Sequence, residues 1–205
     1  MEFITAIFQK VPGVVLLIFF LIGIFSVAIF LERFSNVKKS KVLPKNWNQI
    51  KIYLLNGNFE AVLNLLRKEK RNFLARTLAN ILELYAKGEI DKAELRQMVE
   101  GETSFIYYEL SKKISFLSVS VTISTFTGLL GTVMGLIEVF GAFSFSTPEG
   151  LKELSRGIAT CLYSTLTGLI LAIIIYFLYW LIKSRVDGVY AKVVKELEEM
   201  LELIR

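Results

Sequence analysis

Three stretches of this chain carry no Asp, Glu, Lys or Arg: Val11–Leu31, Ile114–Ile137 and Gly157–Ile182. Each is at least 21 residues long, and about 20 helical residues, rising 1.5 Å apiece, cross the hydrocarbon core of a bilayer. Lipid offers no partner to backbone N–H and C=O groups, so segments of this kind are held to helix. Composition agrees: 54% of the 205 residues are hydrophobic and the mean hydropathy is +0.54, above the usual range of a soluble domain. The expected fold is an all-α integral membrane protein with three transmembrane helices. The first stretch resembles a signal peptide in position only. Lys10 is offset by Glu2 and no small-residue cleavage site follows, so it is expected to be retained.

Charge orients the spans. Of the 24 Lys and Arg residues, 16 lie between Glu32 and Lys113. Arg33, Lys38, Lys39, Lys41 and Lys45 follow the first span, Lys112 and Lys113 precede the second, and Lys183 and Arg185 follow the third. The positive-inside rule then gives an N-out, C-in chain. Its parts are a periplasmic N-terminus (1–10), a first span (11–31), a cytoplasmic helical insert (32–113) and a second span (114–143), followed by a periplasmic loop (144–153), a third span (154–182) and a cytoplasmic C-terminal helix (183–205). Basic residues that flank spans are a membrane pattern, and no nucleic-acid partner is expected.

Inside the insert, Gly57 ends one short helix and Asn58 caps the next. A further helix over about Phe73–Lys87 stops at Gly88, and Asp91 with Glu94 reads as a capping box. From there only Gly101 interrupts helical pattern up to the outer loop. A single rod is therefore expected from the insert through the second span, as is a second rod continuing the third span, with Val189, Val193, Leu197, Met200 and Leu201 as an apolar stripe. The cytoplasmic part reads as too thin to fold alone. The first span, apolar all round apart from Ser26, is expected to face lipid at the periphery.

The second span holds "GLLGTVMGLIEVF", in which Ser124, Gly128, Gly131, Thr132 and Gly135 recur at helical steps. The third holds "GIATCLYSTLTGL", with Gly157, Thr160, Cys161, Ser164, Thr167 and Gly168 as a small stripe. Small faces let helices approach closely where lipid supplies no hydrophobic drive for association. Thr132 lies 17 residues before Glu149 and Thr165 lies 16 after it, so antiparallel neighbours hold both hydroxyls at similar depth. Such hydroxyls either serve water or a small cation, or bond their own backbone. No ionisable residue lies inside the second or third charge-free stretch and the chain has no His, so a self-contained proton relay is not expected. Glu138 sits at the outer end of the second span as an interfacial charge or part of a pathway. One Cys, Cys161, and no His leave no metal-ligand set, and neither a nucleophile with a nearby base nor a phosphate-binding loop appears. No enzymatic activity and no bound cofactor are expected.

The two motifs, in this order and at this separation, resemble the paired signatures of the MotA/TolQ/ExbB ion-channel family over roughly Phe105–Ile182. The architecture is more similar to the TolQ/ExbB branch than to four-span flagellar stators of the MotA type. The resemblance implies a pentameric ring in the bacterial inner membrane around single-span TolR/ExbD-type partners, expected in two copies, each with a transmembrane aspartate. It also implies coupling to a TonB/TolA-like protein, with H⁺ or Na⁺ as the transported ion. By motif position, Thr132 and Thr165 match the family's pore-facing threonines. The expected ion pathway comprises Thr132, Thr165, Thr160, Thr125 and Ser164, with Gly128, Gly131, Gly135, Gly157 and Gly168 as packing positions. Two departures put the coupling ion in doubt: Thr160 stands where many proton-coupled members have glutamate, and no proline precedes "GLLGT". A non-conducting membrane scaffold and a flagellar-type stator are the alternative readings.

Overall fold

The computed structural model describes residues 11, 13–38, 42–70, 72–142 and 148–204, and every regular element among them is an α-helix. In chain order these are α1 (Gly13–Asn36), α2 (Trp47–Leu55), α3 (Phe59–Lys68), α4 (Phe73–Ala86), α5 (Lys92–Ser111), α6 (Ile114–Ala142) and α7 (Pro148–Leu203). Three helices contain segments long and apolar enough to cross a membrane: Gly13–Asn36, Ile114–Gly141 and Gly150–Leu203. The expected N-terminal segment 1–10 and positions 144–147 of the expected outer loop lie outside the described residues. Positions 148–153, read above as loop, belong to the first turns of α7.

The chain divides into two compact units. The first takes in Met1–Glu32 and Lys113–Ile182. Along α6, Ser124 lies opposite Gly168, Gly131 opposite Ser164, Gly135 opposite Cys161 and Val139 opposite Gly157. Numbers rise on one helix as they fall on the other, so α6 and α7 are antiparallel. Helix α1 lies against this pair. Near its start Val11, Val15 and Phe19 pack with Tyr163 and Leu171. Further along, Ile29 packs with Leu117 and Ile175, and Phe25 meets Phe116 edge to face at 6.4 Å. One stripe of α1, formed by Val15, Phe19, Ser26 and Ile29, is buried. Its other faces stay exposed, through Val14, Leu17, Phe20, Leu21 and Ile24 among others. One stripe of α1 is thus packed against protein, while its other faces are exposed and apolar.

The second unit takes in Arg33–Lys112 and Lys183–Arg205. It has a set of buried apolar side chains of its own. Ile50, Leu66, Leu78, Leu82 and Leu95 are each fully buried, as are Leu197 and Met200 of α7 and Ile204 just beyond its end. Polar contacts close over them: Trp47 Nε1 donates to Glu196 at 2.8 Å, and the Lys51 ammonium reaches Glu196 at 2.8 Å and Glu199 at 3.1 Å. The local signals are realised as read. Gly57 (φ 67°) and Gly88 (φ 73°) end α2 and α4 in the left-handed region, where a Cβ is penalised. Asn58 and Asn72 cap α3 and α4, and Asp91 with Glu94 forms the reciprocal capping box of α5.

The single rod expected through the insert and second span is broken between Ser111 and Ile114. Lys112 leaves the helix at φ −50°, ψ 138° and Lys113 turns left-handed at φ 68°. No Gly or Pro marks the spot. The break is held by side chains: Lys113 Nζ pairs with Glu32 at 2.7 Å, and Arg33 Nη2 donates to the Lys112 carbonyl.

Candidate ion-pathway site

Close approach of α6 and α7 creates the site. A Cβ on Gly168 would stand 2.7 Å from the Ser124 carbonyl oxygen, and one on Gly128 would stand 3.1 Å from both the Ser164 carbonyl oxygen and the Thr165 Cα. At Gly131 it would meet the Ser164 side chain at 2.7 Å, and at Gly135 the Cys161 sulfur at 2.5 Å. Gly157 faces Val139 with no room for a side chain. All five expected packing glycines therefore lie where the two helices touch, three of them on α6 and two on α7.

That contact sets the two motif threonines side by side. The hydroxyls of Thr132 and Thr165 hydrogen-bond to each other. Thr165 Oγ1 donates to the Gly128 carbonyl at 3.1 Å. Thr132 Oγ1 lies 3.2 Å from the Cys161 carbonyl and 3.3 Å from its own helix's Gly128 carbonyl. Each hydroxyl has one proton. If Thr165 donates to Gly128, Thr132 must divide its single proton between Thr165 and the two carbonyls. The result is a cluster of oxygens with more lone pairs than protons, inside an apolar surround. Both threonines are half-buried, and the cluster has lone pairs to spare. It can accept hydrogen bonds from water or offer oxygens to a hard cation.

The remaining expected pathway residues are not gathered here. Thr125 bonds the Val121 carbonyl on its own helix at 3.1 Å. It is seven residues from Thr132, hence on the same face and about 10 Å along the axis. Thr160 bonds the Arg156 carbonyl at 2.9 Å. It is five residues from Thr165, turned about 140° away from it, in the opposite axial direction from Thr125. Ser164 is fully buried against Gly131, and its hydroxyl has no hydrogen-bond partner. Ser26 and Ser124 are likewise fully buried and unpartnered. Glu138 is exposed. What residue types could not reveal is the contribution of backbone: the carbonyls of Gly128 and Cys161 are two of the cluster's acceptors, and only the absent or small side chains around them hint at it.

Three helices long and apolar enough to cross a membrane, two of them in contact at Gly128 and Gly168 beside a shared hydroxyl pair, mark a membrane protein. The chain belongs to the MotA/TolQ/ExbB proton channel family, whose model matches residues 66–195, more than half of its length. The matched region contains both motif threonines. Among curated proteins the chain is similar to the Tol-Pal system protein TolQ of Haemophilus influenzae, at 32% identity over 80 residues, covering 39% of this chain and 35% of that one. It is also similar to motility protein A of Treponema phagedenis, at 34% identity over 83 residues, covering 40% of this chain and 30% of that one. The chain thus spans about a third of the length of the curated relatives it matches.

Proposed function

We propose that this chain is the ion-channel subunit of an energy-transducing complex of the bacterial inner membrane, using the proton or sodium motive force to drive work in the cell envelope. The observation that carries the reading is the Thr132–Thr165 hydroxyl pair between the glycine faces of α6 and α7, inside the region matched by the proton channel family. The chain sits N-out and C-in and assembles as a homopentameric ring. Within the ring stand two copies of a single-span TolR/ExbD-like protein, each with a transmembrane aspartate. An ion passing the hydroxyl cluster neutralises that aspartate and frees it from the ring wall, and the ring then turns or shifts relative to the partner. A TonB/TolA-like protein receives the force. The missing carboxylate of the pathway is thereby supplied in trans, which suits a pair of spans whose charge-free stretches hold none of their own. We read the chain as nearer the TolQ/ExbB branch than a flagellar stator, and loss of swimming on its deletion would reverse that reading.

Native mass spectrometry of the detergent-extracted protein, alone and co-expressed with a single-span partner, tests the assembly. A ring of five holding two partner helices supports it. A monomer or dimer that ignores the partner contradicts it. A second reading, a non-conducting scaffold, is favoured by one observation: every hydroxyl bond of the pair ends on the other threonine or on a backbone carbonyl, as pure packing requires. On that reading Thr132→Val and Thr165→Val lower stability without changing any ion flux.

A further inference from the structure

Two helical faces of the second unit are uncovered, one on α5 and one on the part of α7 beyond Ile182. On α5, Met98, Gly101, Phe105 and Tyr108 recur at steps of three and four, and the three large side chains are 39%, 41% and 59% exposed. Met and aromatic side chains are the types that enrich protein interfaces. Glu102 flanks this face. On α7, Ser184, Gly188, Ala191 and Lys195 also recur at helical steps, all of them exposed, and a Cβ on Gly188 would meet nothing within 4 Å. Lys192 flanks this second face. One face thus offers large apolar groups beside an acid, the other small residues beside two cations. Glu102, Lys192 and Lys195 form no ion pair among the described residues.

Within one chain these faces do not meet, because α5 and α7 touch by other sides. The Tyr107 ring lies 5.1 Å from that of Tyr190, and its hydroxyl donates to Asp187 at 3.3 Å. Each helical residue is turned about 100° from the last, so Tyr108 and Phe105 point about 100° and 160° away from Tyr107. Gly188 and Ala191 are each turned about 100° from Asp187 and Tyr190. The same contacts fix the level of the two helices. Lys92 Nζ donates to the Ile204 carbonyl, so α5 and α7 are antiparallel, with Lys92 beside Ile204 and Tyr107 beside Asp187 and Tyr190. Counted along both helices, Tyr108 is level with Gly188, Phe105 with Ala191 and Glu102 with Lys195. Rotation about an axis parallel to these helices keeps every residue at its level, and keeps α5 of one copy antiparallel to α7 of the next. Large side chains then face small ones, and the acid faces a cation. Glu94 is level with Glu202, but its carboxylate is turned back to accept from the Asp91 N–H at 3.0 Å.

We infer that α5 of one copy docks on the outer face of α7 of the next, seating Tyr108 on Gly188 and Phe105 on Ala191 with Glu102 beside Lys195. The two faces differ, so the contact is heterologous, the kind that closes into a ring. This names a seam of the ring proposed above and rests on that reading.

The test is disulfide cross-linking between differently tagged full-length copies, co-expressed and oxidised in the membrane with copper phenanthroline; the native Cys161 is buried and stays in place. Tyr108→Cys in one copy with Gly188→Cys in the other should give a mixed dimer on denaturing gels, absent when either variant is expressed alone. Glu102→Cys with Lys195→Cys should do the same. Met98→Cys with Gly188→Cys, ten residues off level and hence about 15 Å apart along the axis, should give at least tenfold less. A mixed dimer missing from either level pair, equal yield from the off-level pair, or dimers from Tyr108→Cys alone would each overturn the inference, the last by making the contact a symmetric one between α5 helices. Native mass spectrometry separates the two readings. A ring of five without the level cross-links overturns the seam and leaves the ring standing, whereas a monomer overturns both.

Discussion

Thr132 and Thr165 bring two protons to a cluster of four oxygens, their own and those of Gly128 and Cys161. Valine at either position keeps the shape and removes one hydroxyl. Because hydrogen bonds inside membranes are worth only about 0.6 kcal/mol on average, Thr132→Val and Thr165→Val should leave the assembled protein nearly as stable as wild type, measured by thermal unfolding in detergent. A loss of several kcal/mol would make the pair a structural lock. Lys113 carries the other informative residue-scale feature, a left-handed backbone at φ 68°. A β-branched side chain is a genuine outlier there, so Lys113→Val should destabilise by about 1–2 kcal/mol. Lys113→Gly, which loses only an exposed pair with Glu32 worth about 1 kcal/mol or less, should be tolerated. The same melting experiment separates them, and equal effects would mean that the break does not depend on this conformation.

At the scale of elements, the α6–α7 pair depends on backbone proximity. The Cβ of Gly168→Ala would stand 2.7 Å from a carbonyl oxygen of the opposite helix and 2.9 Å from the Gly128 Cα, neither of which can swing aside. The helices must separate, at a cost of about 1–3 kcal/mol. Gly188→Ala, on the same α7 but with nothing within 4 Å of the added carbon, should be neutral or stabilising by up to about 1 kcal/mol through helix propensity. Paired thermal melts of the two variants decide it. The pairing was legible in the sequence because glycine and hydroxyl spacing fixes a face, and counting from Glu149 fixes depth. The α5–α6 break was not legible. "LSKKIS" holds no helix breaker, and the residues at the break bond to Arg33 and Glu32, some 80 positions away. Local pattern carries no trace of such a contact. The motif resemblance puts Thr160 among the pathway residues, and helical geometry turns it about 140° from Thr165.

At the scale of the whole molecule, three spans follow from charge and length alone, while the compactness of the second unit did not. Its core needs the C-terminal stripe of α7 to meet helices more than a hundred residues earlier, and composition of the insert by itself is silent about that. The Lys51 contacts with Glu196 and Glu199 tie those distant segments together. Hydrogen bonding to Glu196 holds the Lys51 ammonium above its ordinary pKa of 10.5, against a smaller opposing effect of burial. A raised folded value means that the stabilisation is fully present below 10.5 and is lost as pH rises through that higher value. Melting of the wild type should therefore fall on the alkaline side more steeply than that of Lys51→Met, and parallel curves would remove the pair from the account.

The central claim, that the hydroxyl cluster lies on an ion path completed by a partner, is met most directly by ion flux in liposomes. The chain is reconstituted with its co-purified single-span partner under an imposed H⁺ or Na⁺ gradient. Wild type should conduct one of the two ions, and replacing the partner's transmembrane aspartate by asparagine should abolish the flux. Thr132→Val with Thr165→Val should abolish it too, while native mass spectrometry shows the same assembly. Full flux through the correctly assembled double variant would contradict the claim and leave the hydroxyls with packing alone.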